Sequence, residues 1–440
     1  MTRRLILLVC ALTALPASAS SQTPGARRDA EGRPHVSPQR LERTLQTLGT
    51  IGRDPETGGI TRLPFSPADL EARSWFADQL RAAGLEVRTD PAGNLIGRLP
   101  GTGPALPPIV LGSHLDTVPQ GGRFDGALGL VAALEAVRSL ADLDIRLRHP
   151  VEVVDFIDEE GGLVGSRAWI GTLTGEDMER PYGDRTYAEA LRELGLDPER
   201  VGEARRTPDE VAAYVELHPE QGRRLERGGK TIGVVEGIVA LDEYEVEVVG
   251  EANHAGTTRM VDRRDPLTAA ARMVTELREE ILSQGGDLVA TVGLLEALPG
   301  TPNVIPGRVR FTVDIRDPSP LVLDRALSGL RQRFRRIARE EGVEVSWSPI
   351  VTLPPAPADP MVREAIREAA EMYGYPFEVM PSGAGHDAQS VAGIAPMGMI
   401  FVPSVGGFSH SPSEFTTPAD AAAGADVLLQ TVLLLDGRIR

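Results

Sequence analysis

An α/β fold with a smaller two-layer α+β unit inserted into it is what the sequence predicts, on three observations. Apolar strand-like runs alternate with helical patterns through the first half of the chain. Near residue 232 the pattern changes to long alternating extended runs. The first pattern resumes after the Pro-rich break PPAPADP at 354–360.

The elements follow in order. Arg3 and Arg4 precede the apolar run LILLVCALTALP, and small residues end at Ala19. This is the shape of a signal peptide over 1–19, cleaved after Ala19, which makes the mature protein periplasmic or secreted. The arginine pair suits a twin-arginine route, although the rest of that motif is poor. Cys10 is the only cysteine and leaves with the leader, so the mature chain is expected to lack disulfides and thiol chemistry. Residues 20–36, rich in Ser, Gly, Pro and charge, read as a flexible linker. No later segment reads as membrane-spanning, so no membrane partner is expected.

Catalytic-type patterning then occupies 37–231. It holds helices over 38–48, 68–84 and 127–140, strands in LEVRTD, NLIGRL and PPIVLGS, and the strong strand PVEVVDFI at 150–157. The inserted unit is placed at 232–350, with helices over 266–283 and 321–341 in a β-α-β-β-α-β order typical of ferredoxin-like folds. The remainder, 351–440, returns to the first unit with a helix at 360–373, the glycine-rich SGAGHDA, a strand in PMGMIFVP and a final apolar helix. The net charge of −17 over 440 residues leaves no basic surplus for nucleic acid.

One stretch carries most of the chemistry: GSHLDTVPQGGRFDGALG at 112–129. His114 closes a strand at the end where open α/β sheets keep their sites. Asp125 sits in a glycine-rich turn and has two oxygens with which to bridge cations. Asp116 is expected to fix the His114 ring through its carboxylate. Glu159 and Glu160 close the next strong strand and point different ways, so one can hold metal while the other holds water. His218, His386 and His410 sit beside Gly, Asp, Pro or Ser at strand ends, whereas His35 and His149 lack that setting.

The same residues carry a family resemblance. The chain resembles the M20 metallopeptidase superfamily, closest to its N-carbamoyl-L-amino-acid hydrolase, beta-ureidopropionase and allantoate amidohydrolase branch. The matches are GNLIGR (93–98), the stretch at 112–129, DEEG (158–161), ELHPEQG (216–222), GEANHAGTT (250–258), RRDPL (263–267), PNVIPGRVRFTVDIR (302–316), SGAGHDA (382–388) and SHSPSE (409–414). They span nearly all of the expected mature chain, in order.

The resemblance implies a zinc-peptidase-like catalytic domain with a mixed central sheet and an inserted lid or dimerisation domain. It implies two divalent cations, zinc first, with manganese, cobalt or nickel as alternatives. His114, Asp125 and His218 would hold one; Asp125, Glu160 and His410 would hold the other, with Asp125 bridging. Glu159 becomes the general base. His254 is implied as the oxyanion donor, reaching the partner site of a homodimer. Asn303 and Arg316 are implied to hold a substrate carboxylate, for which arginine's rigid fork is suited. Gln221 is a further substrate contact, His386 lines the pocket and Asp387 supports it.

The reaction expected is hydrolysis of a linear ureido or amide C–N bond in a small carboxylate substrate. The compact DEEGGLVGSRAW, Pro219 and Arg259 depart from the carbamoylase pattern. The alternative is therefore a secreted peptidase or aminoacylase of the same superfamily. A non-catalytic binding protein would be expected to lose Glu159 or a ligand, and all are present.

Overall fold

The computed structural model describes residues 25–439. Many helices start where a capping side chain meets a proline whose missing N–H costs nothing at the first turn. Ser37, Ser66, Asp265, Asp359 and Thr417 each accept a hydrogen bond from a backbone N–H of the helix they open, and proline follows each.

A nine-stranded mixed sheet forms the larger unit. At its centre four parallel strands lie side by side: Met397–Val402, Ala213–Pro219, Ile109–His114 and Val151–Phe156. Leu95–Leu99 and Glu86–Thr89 extend one side antiparallel. Alternate residues of the central strands enter different cores, as the two-residue pleat requires. Leu111, Val153, Val215 and Ile400 pack with helices Ala127–Asp142 and Pro418–Arg438. Val110, Val154, Tyr214 and Phe401 pack with Trp169 and Met380 on the opposite face.

The smaller unit is an antiparallel sheet of Glu344–Leu353, Ala240–Val249 and Arg308–Asp317, with Val289–Thr291 and Leu295–Leu298 on the far edge. Helices Pro266–Gln284 and Pro320–Glu341 share a core with one face of it, through Met273, Leu277, Leu330, Phe334, Val246, Phe311 and Val313. This is the expected β-α-β-β-α-β arrangement.

Three expectations are corrected. Ile232–Ile238 pairs with Phe377–Ser382 and Met397–Val402 in the large sheet, so the chain leaves for the smaller unit near Ala240, not at 232, and returns after Leu353. The alternation IGVVEGI reads the same in either sheet, so the pattern alone does not mark where the chain crosses from one to the other.

The expected linker 20–36 is not loose where it is described. Arg27–Arg28 pairs with Pro34–His35, Ala26 N–H donates to Asp142 at 2.9 Å, and Val36 N–H donates to Asp426 at 2.8 Å. Residues 20–24 and the expected leader 1–19 lie outside the described residues. Finally, Pro418–Arg438 is long and apolar enough to cross a membrane, contrary to expectation, but 72% of its apolar window is buried in the protein. It is a core helix.

Candidate metal centre

The four central parallel strands all deliver polar groups at their carboxyl ends, the place where an open α/β sheet forms its crevice. His114 ends one strand and His218 is the penultimate residue of its neighbour. Asp158, Glu159 and Glu160 follow the third, and the loop after Val402 carries Ser409 and His410. Asp125 lies one residue before Gly126, whose φ is +61°. A Cβ at Gly126 would sit 2.5 Å from the His114 ring, so only glycine lets this turn approach the histidine.

Backbone strain collects here. Asp158, Leu163, Gln221 and His410 all adopt φ between 52° and 59°. Left-handed conformations at non-glycine residues persist where surrounding contacts over-determine them, and they cluster at functional sites.

Asp125 is the hub. Its Oδ1 lies 3.1 Å from His218 Nε2 and 3.8 Å from His114 Nε2. Its Oδ2 lies 3.2 Å from His410 Nε2, and that nitrogen is 3.4 Å from Glu160 Oε2. Two donor groups thus share one carboxylate: His114, Asp125 and His218, and Asp125, Glu160 and His410. Glu159 Oε2 is 3.7 Å from His114 Nε2. His114, Asp125 and His218 are buried, while His410 is half-exposed.

The rings are oriented for ligation. Nδ1 of His114 donates to the Asp116 carbonyl at 3.0 Å, and Nδ1 of His218 donates to the Pro219 carbonyl at 3.0 Å. A carbonyl oxygen only accepts, so each Nδ1 carries a proton and each Nε2 is the nitrogen turned to the pocket; on His218 the Asp125 carboxylate favours a second proton there, which a cation would replace.

Electrostatics agree with this donor set. Burial and the neighbouring Asp387 and Glu160 charges push Glu159 well above the usual carboxylate range, and burial with Asp125 raises Glu160 to about 7. Burial also raises Asp125, but hydrogen bonds from His218 and His410 outweigh it and hold that carboxyl well below 3.8. Burial lowers His114 to about 4, keeping it neutral. Imidazole nitrogens and crowded carboxylates converging from separate strands fit a divalent cation.

Asp116 acts differently from expectation. Its backbone carbonyl orients His114, while its carboxylate accepts the N–H groups of Glu159 at 3.3 Å and Glu160 at 3.2 Å. Thus one residue ties the His114 strand to the turn bearing both glutamates.

A cleft of about 570 Å³ opens over these groups, and Leu241, Arg316 and Leu353 of the smaller unit line its other wall. Arg316 is held by Asp314 at 2.8 Å and reaches the Gly383 carbonyl at 3.0 Å. His386 lines the cleft, bonded to Ser382 Oγ at 2.9 Å, with its ring 4.5 Å from that of His218. Asp387 lies buried behind it. Gln221 donates to Asp125 Oδ2 and to Ser409 Oγ, each at 3.0 Å, so it buttresses the hub as well as lining the cleft.

His254 and Asn303 are not brought into this cleft. His254 belongs to a two-stranded ladder, Asn253–His254 with Val304–Ile305, Asn303 immediately precedes its second strand, and both are exposed. His254 Nδ1 accepts from Gly256 and Thr257 N–H at 3.0 and 3.2 Å, leaving Nε2–H as a donor to the outside.

Sequence reasoning missed two carboxylates. Glu414 accepts the N–H groups of Phe124 and Asp125 at 2.8 and 2.9 Å and the Ser409 hydroxyl at 3.0 Å. Glu216 accepts from Ser113 Oγ at 3.0 Å and Tyr214 Oη at 2.8 Å, within reach of His218 and His386. Its place two residues before His218 on a strand was the available signal. Glu414 ends the SHSPSE motif, but its backbone partners Phe124 and Asp125 are 290 and 289 residues away.

Comparison with known proteins follows the same lines. Residues 110–434 match the family model described as Peptidase family M20/M25/M40. N-carbamoyl-L-amino acid amidohydrolase of Geobacillus stearothermophilus is 44% identical over 403 residues, covering 90% of this chain and 98% of the relative. Allantoate amidohydrolase of Escherichia coli (strain K12) is 38% identical over 398 residues, covering 89% and 96%. The crystal structure of an amidase of the hydantoinase/carbamoylase family from Burkholderia multivorans is similar with a TM-score of 0.84 at 39% identity, covering 91% of this chain and 98% of that one.

Proposed function

The chain belongs to the M20/M25/M40 peptidase family, and from that premise we propose that it hydrolyses the ureido C–N bond of a small linear substrate bearing an α-carboxylate. N-carbamoyl-L-amino acids and allantoate are the substrate types, after the relatives of those names. The observation that carries the reading is the pair of donor groups sharing Asp125, with the Glu159 carboxylate 3.7 Å from His114 Nε2.

His114, Asp125 and His218 would hold one divalent cation, and Asp125, Glu160 and His410 a second. Zinc suits this nitrogen and oxygen donor set, with manganese, cobalt or nickel as alternatives. When bound, such cations polarise the scissile carbonyl and make water acidic enough to deprotonate near neutral pH. Glu159 accepts that proton and returns it to the departing nitrogen, acting as base and then acid. Arg316 pairs with the substrate carboxylate across the cleft. The products from a carbamoyl amino acid are the free amino acid, ammonia and carbon dioxide.

His254 Nε2–H is the donor for the developing oxyanion, and it acts in the site of a partner subunit. The exposure of His254, together with Met260 and Val261 at 75% and 78% on the adjoining segment, supports a homodimer that covers this face. Mixing a His254→Ala chain with a Glu159→Gln chain tests it: activity returns in hybrid dimers if His254 serves the partner, and stays absent if it serves its own subunit. Residues 1–19 direct export, which sequencing the amino terminus of the cell-fractionated protein checks.

The deciding experiment is a panel of N-carbamoyl amino acids, allantoate, N-acyl amino acids and dipeptides on metal-loaded protein. Ammonia release from ureido compounds is expected. Turnover confined to dipeptides or acyl amino acids favours the second reading, a peptidase or aminoacylase, which the compact Gly161–Leu163 segment on the cleft wall supports.

A further inference from the structure

The cleft wall opposite the metal centre has an internal order. In the smaller sheet Arg316 pairs directly with Leu241, and Leu241 pairs directly with Leu353. Directly opposed residues of antiparallel strands project from the same face. The neighbours Ala240 and Ile315 belong to the core under the two helices, so the Arg316–Leu241–Leu353 row occupies the other face. All three line the cleft. Neither leucine is part of a core cluster, and both are only half-buried.

From the larger unit, Leu163 lines the same cleft. It holds a left-handed φ of 56°, unusual for leucine, and its N–H donates to the Glu159 carbonyl at 3.0 Å. That bond fixes the Leu163 backbone to the turn bearing the proposed base. A Cβ at Gly162 before it would meet the Arg180 guanidinium at 2.4 Å, so that side chain would have to swing aside. The cleft thus holds Arg316 on one wall with Leu241 and Leu353 beside it in the row, and Leu163 next to the turn of the proposed base on the other.

We infer that Leu163, Leu241 and Leu353 form a side-chain subsite that selects substrates whose α-carbon carries a large aliphatic group, such as leucine or methionine derivatives. This rests on the reading of the site as a ureido hydrolase with Arg316 on the α-carboxylate. A carboxylate on Arg316 places the α-carbon beside the next residues of the row, which are leucines. Allantoate offers a second ureido group at that point, with several donors and acceptors that leucine side chains cannot satisfy. A glycine derivative leaves the leucines in water. Apolar discrimination of this kind amounts to about 10–200-fold per methylene.

The test is steady-state kinetics of the metal-loaded full chain on N-carbamoyl-L-leucine, N-carbamoylglycine and allantoate. The leucine derivative is expected to exceed the glycine derivative by at least about 100-fold in kcat/KM, with allantoate also poor. In Leu241→Ala/Leu353→Ala the leucine-to-glycine ratio is expected to fall at least about ten-fold, and Leu241→Met/Leu353→Met to restore most of it. Equal kcat/KM for leucine and glycine derivatives, a preference for allantoate, or a ratio unchanged in the alanine variant overturns the subsite.

Calorimetric titration of the wild-type protein with L-leucine and glycine reads the same preference without turnover and without depending on how the variants fold. Comparable affinities overturn the subsite there too. If no ureido compound is hydrolysed, the functional reading fails separately, and the leucine-to-glycine ratio is read on the acyl or dipeptide series that does turn over.

Discussion

Glu414 accepts the backbone N–H of Asp125 at 2.9 Å, although the two residues are 289 positions apart. The same carboxylate accepts the Phe124 N–H and the Ser409 hydroxyl, so it joins the turn bearing Asp125 to the loop bearing His410. The packing is close: a Cβ at Gly122 would lie 2.3 Å from Glu414. Glu414→Ala is expected to weaken metal binding about 10–100-fold, the usual cost of removing a group that orients ligands. Glu414→Gln, which keeps an acceptor, should recover part of it. Metal titration checks both. The alanine variant also leaves two buried N–H groups unpaired, at about 1–3 kcal/mol each by denaturant unfolding.

Glu159 is placed beside the centre but outside both donor groups. Glu159→Gln is therefore expected to lower kcat by at least about 10²-fold, the scale of a lost general base, while bound metal per subunit stays at the wild-type value. Full metal occupancy with retained turnover would remove Glu159 from the proton path. Loss of metal together with activity would make it a ligand.

Chelation is expected to destabilise the protein as well as silence it. Asp116, Asp125, Glu159 and Glu160 crowd one pocket, and burial with mutual repulsion raises three of them. A cation relieves that repulsion in the folded state only. Free metal at 100 times its Kd stabilises by about 2.7 kcal/mol per site. Melting with excess metal and with chelator measures this as a higher Tm in metal. An unchanged Tm contradicts tight binding at this cluster.

The clustering of His114, His218, Glu160 and His410 around Asp125 was legible in the sequence because the four end or follow apolar strands whose ends the sheet aligns, and Asp125 sits in the glycine-rich turn beside them. The capped prolines marked helix starts for a similarly local reason. Long-range partnerships were not legible. The spacing of His114 and Asp116 suggested a carboxylate on the ring, but the Asp116 carbonyl takes that bond and frees the carboxylate for Glu159 and Glu160. Glu414 reads as one more polar residue until the fold brings Asp125 to it. His254 lies in a short ladder with Asn303 just outside it, and neither lines the cleft. The segment 25–36 has a linker's composition, yet it is fastened by Asp426, nearly 400 residues on.

That fastening carries the last prediction, a pH dependence. His35 Nδ1 lies 2.6 Å from Asp426 Oδ2, and its Nε2 lies 3.4 Å from Asp29. The hydrogen bond to Asp426 raises the His35 pKa above 6.5, against the opposing pull of burial. A histidine whose folded-state pKa is raised binds its proton more tightly folded than unfolded. Its contribution to stability is complete below pH 6.5 and is lost as pH rises through the higher folded-state value. The Tm difference between wild type and His35→Gln is therefore expected to be largest at mildly acidic pH and to shrink above neutrality. Asp426 also accepts from Val36 N–H and Tyr375 Oη, so that anchor persists in the variant and isolates the imidazolium's share. A difference that is flat, or that grows with pH, would show that His35 holds the segment as a neutral ring.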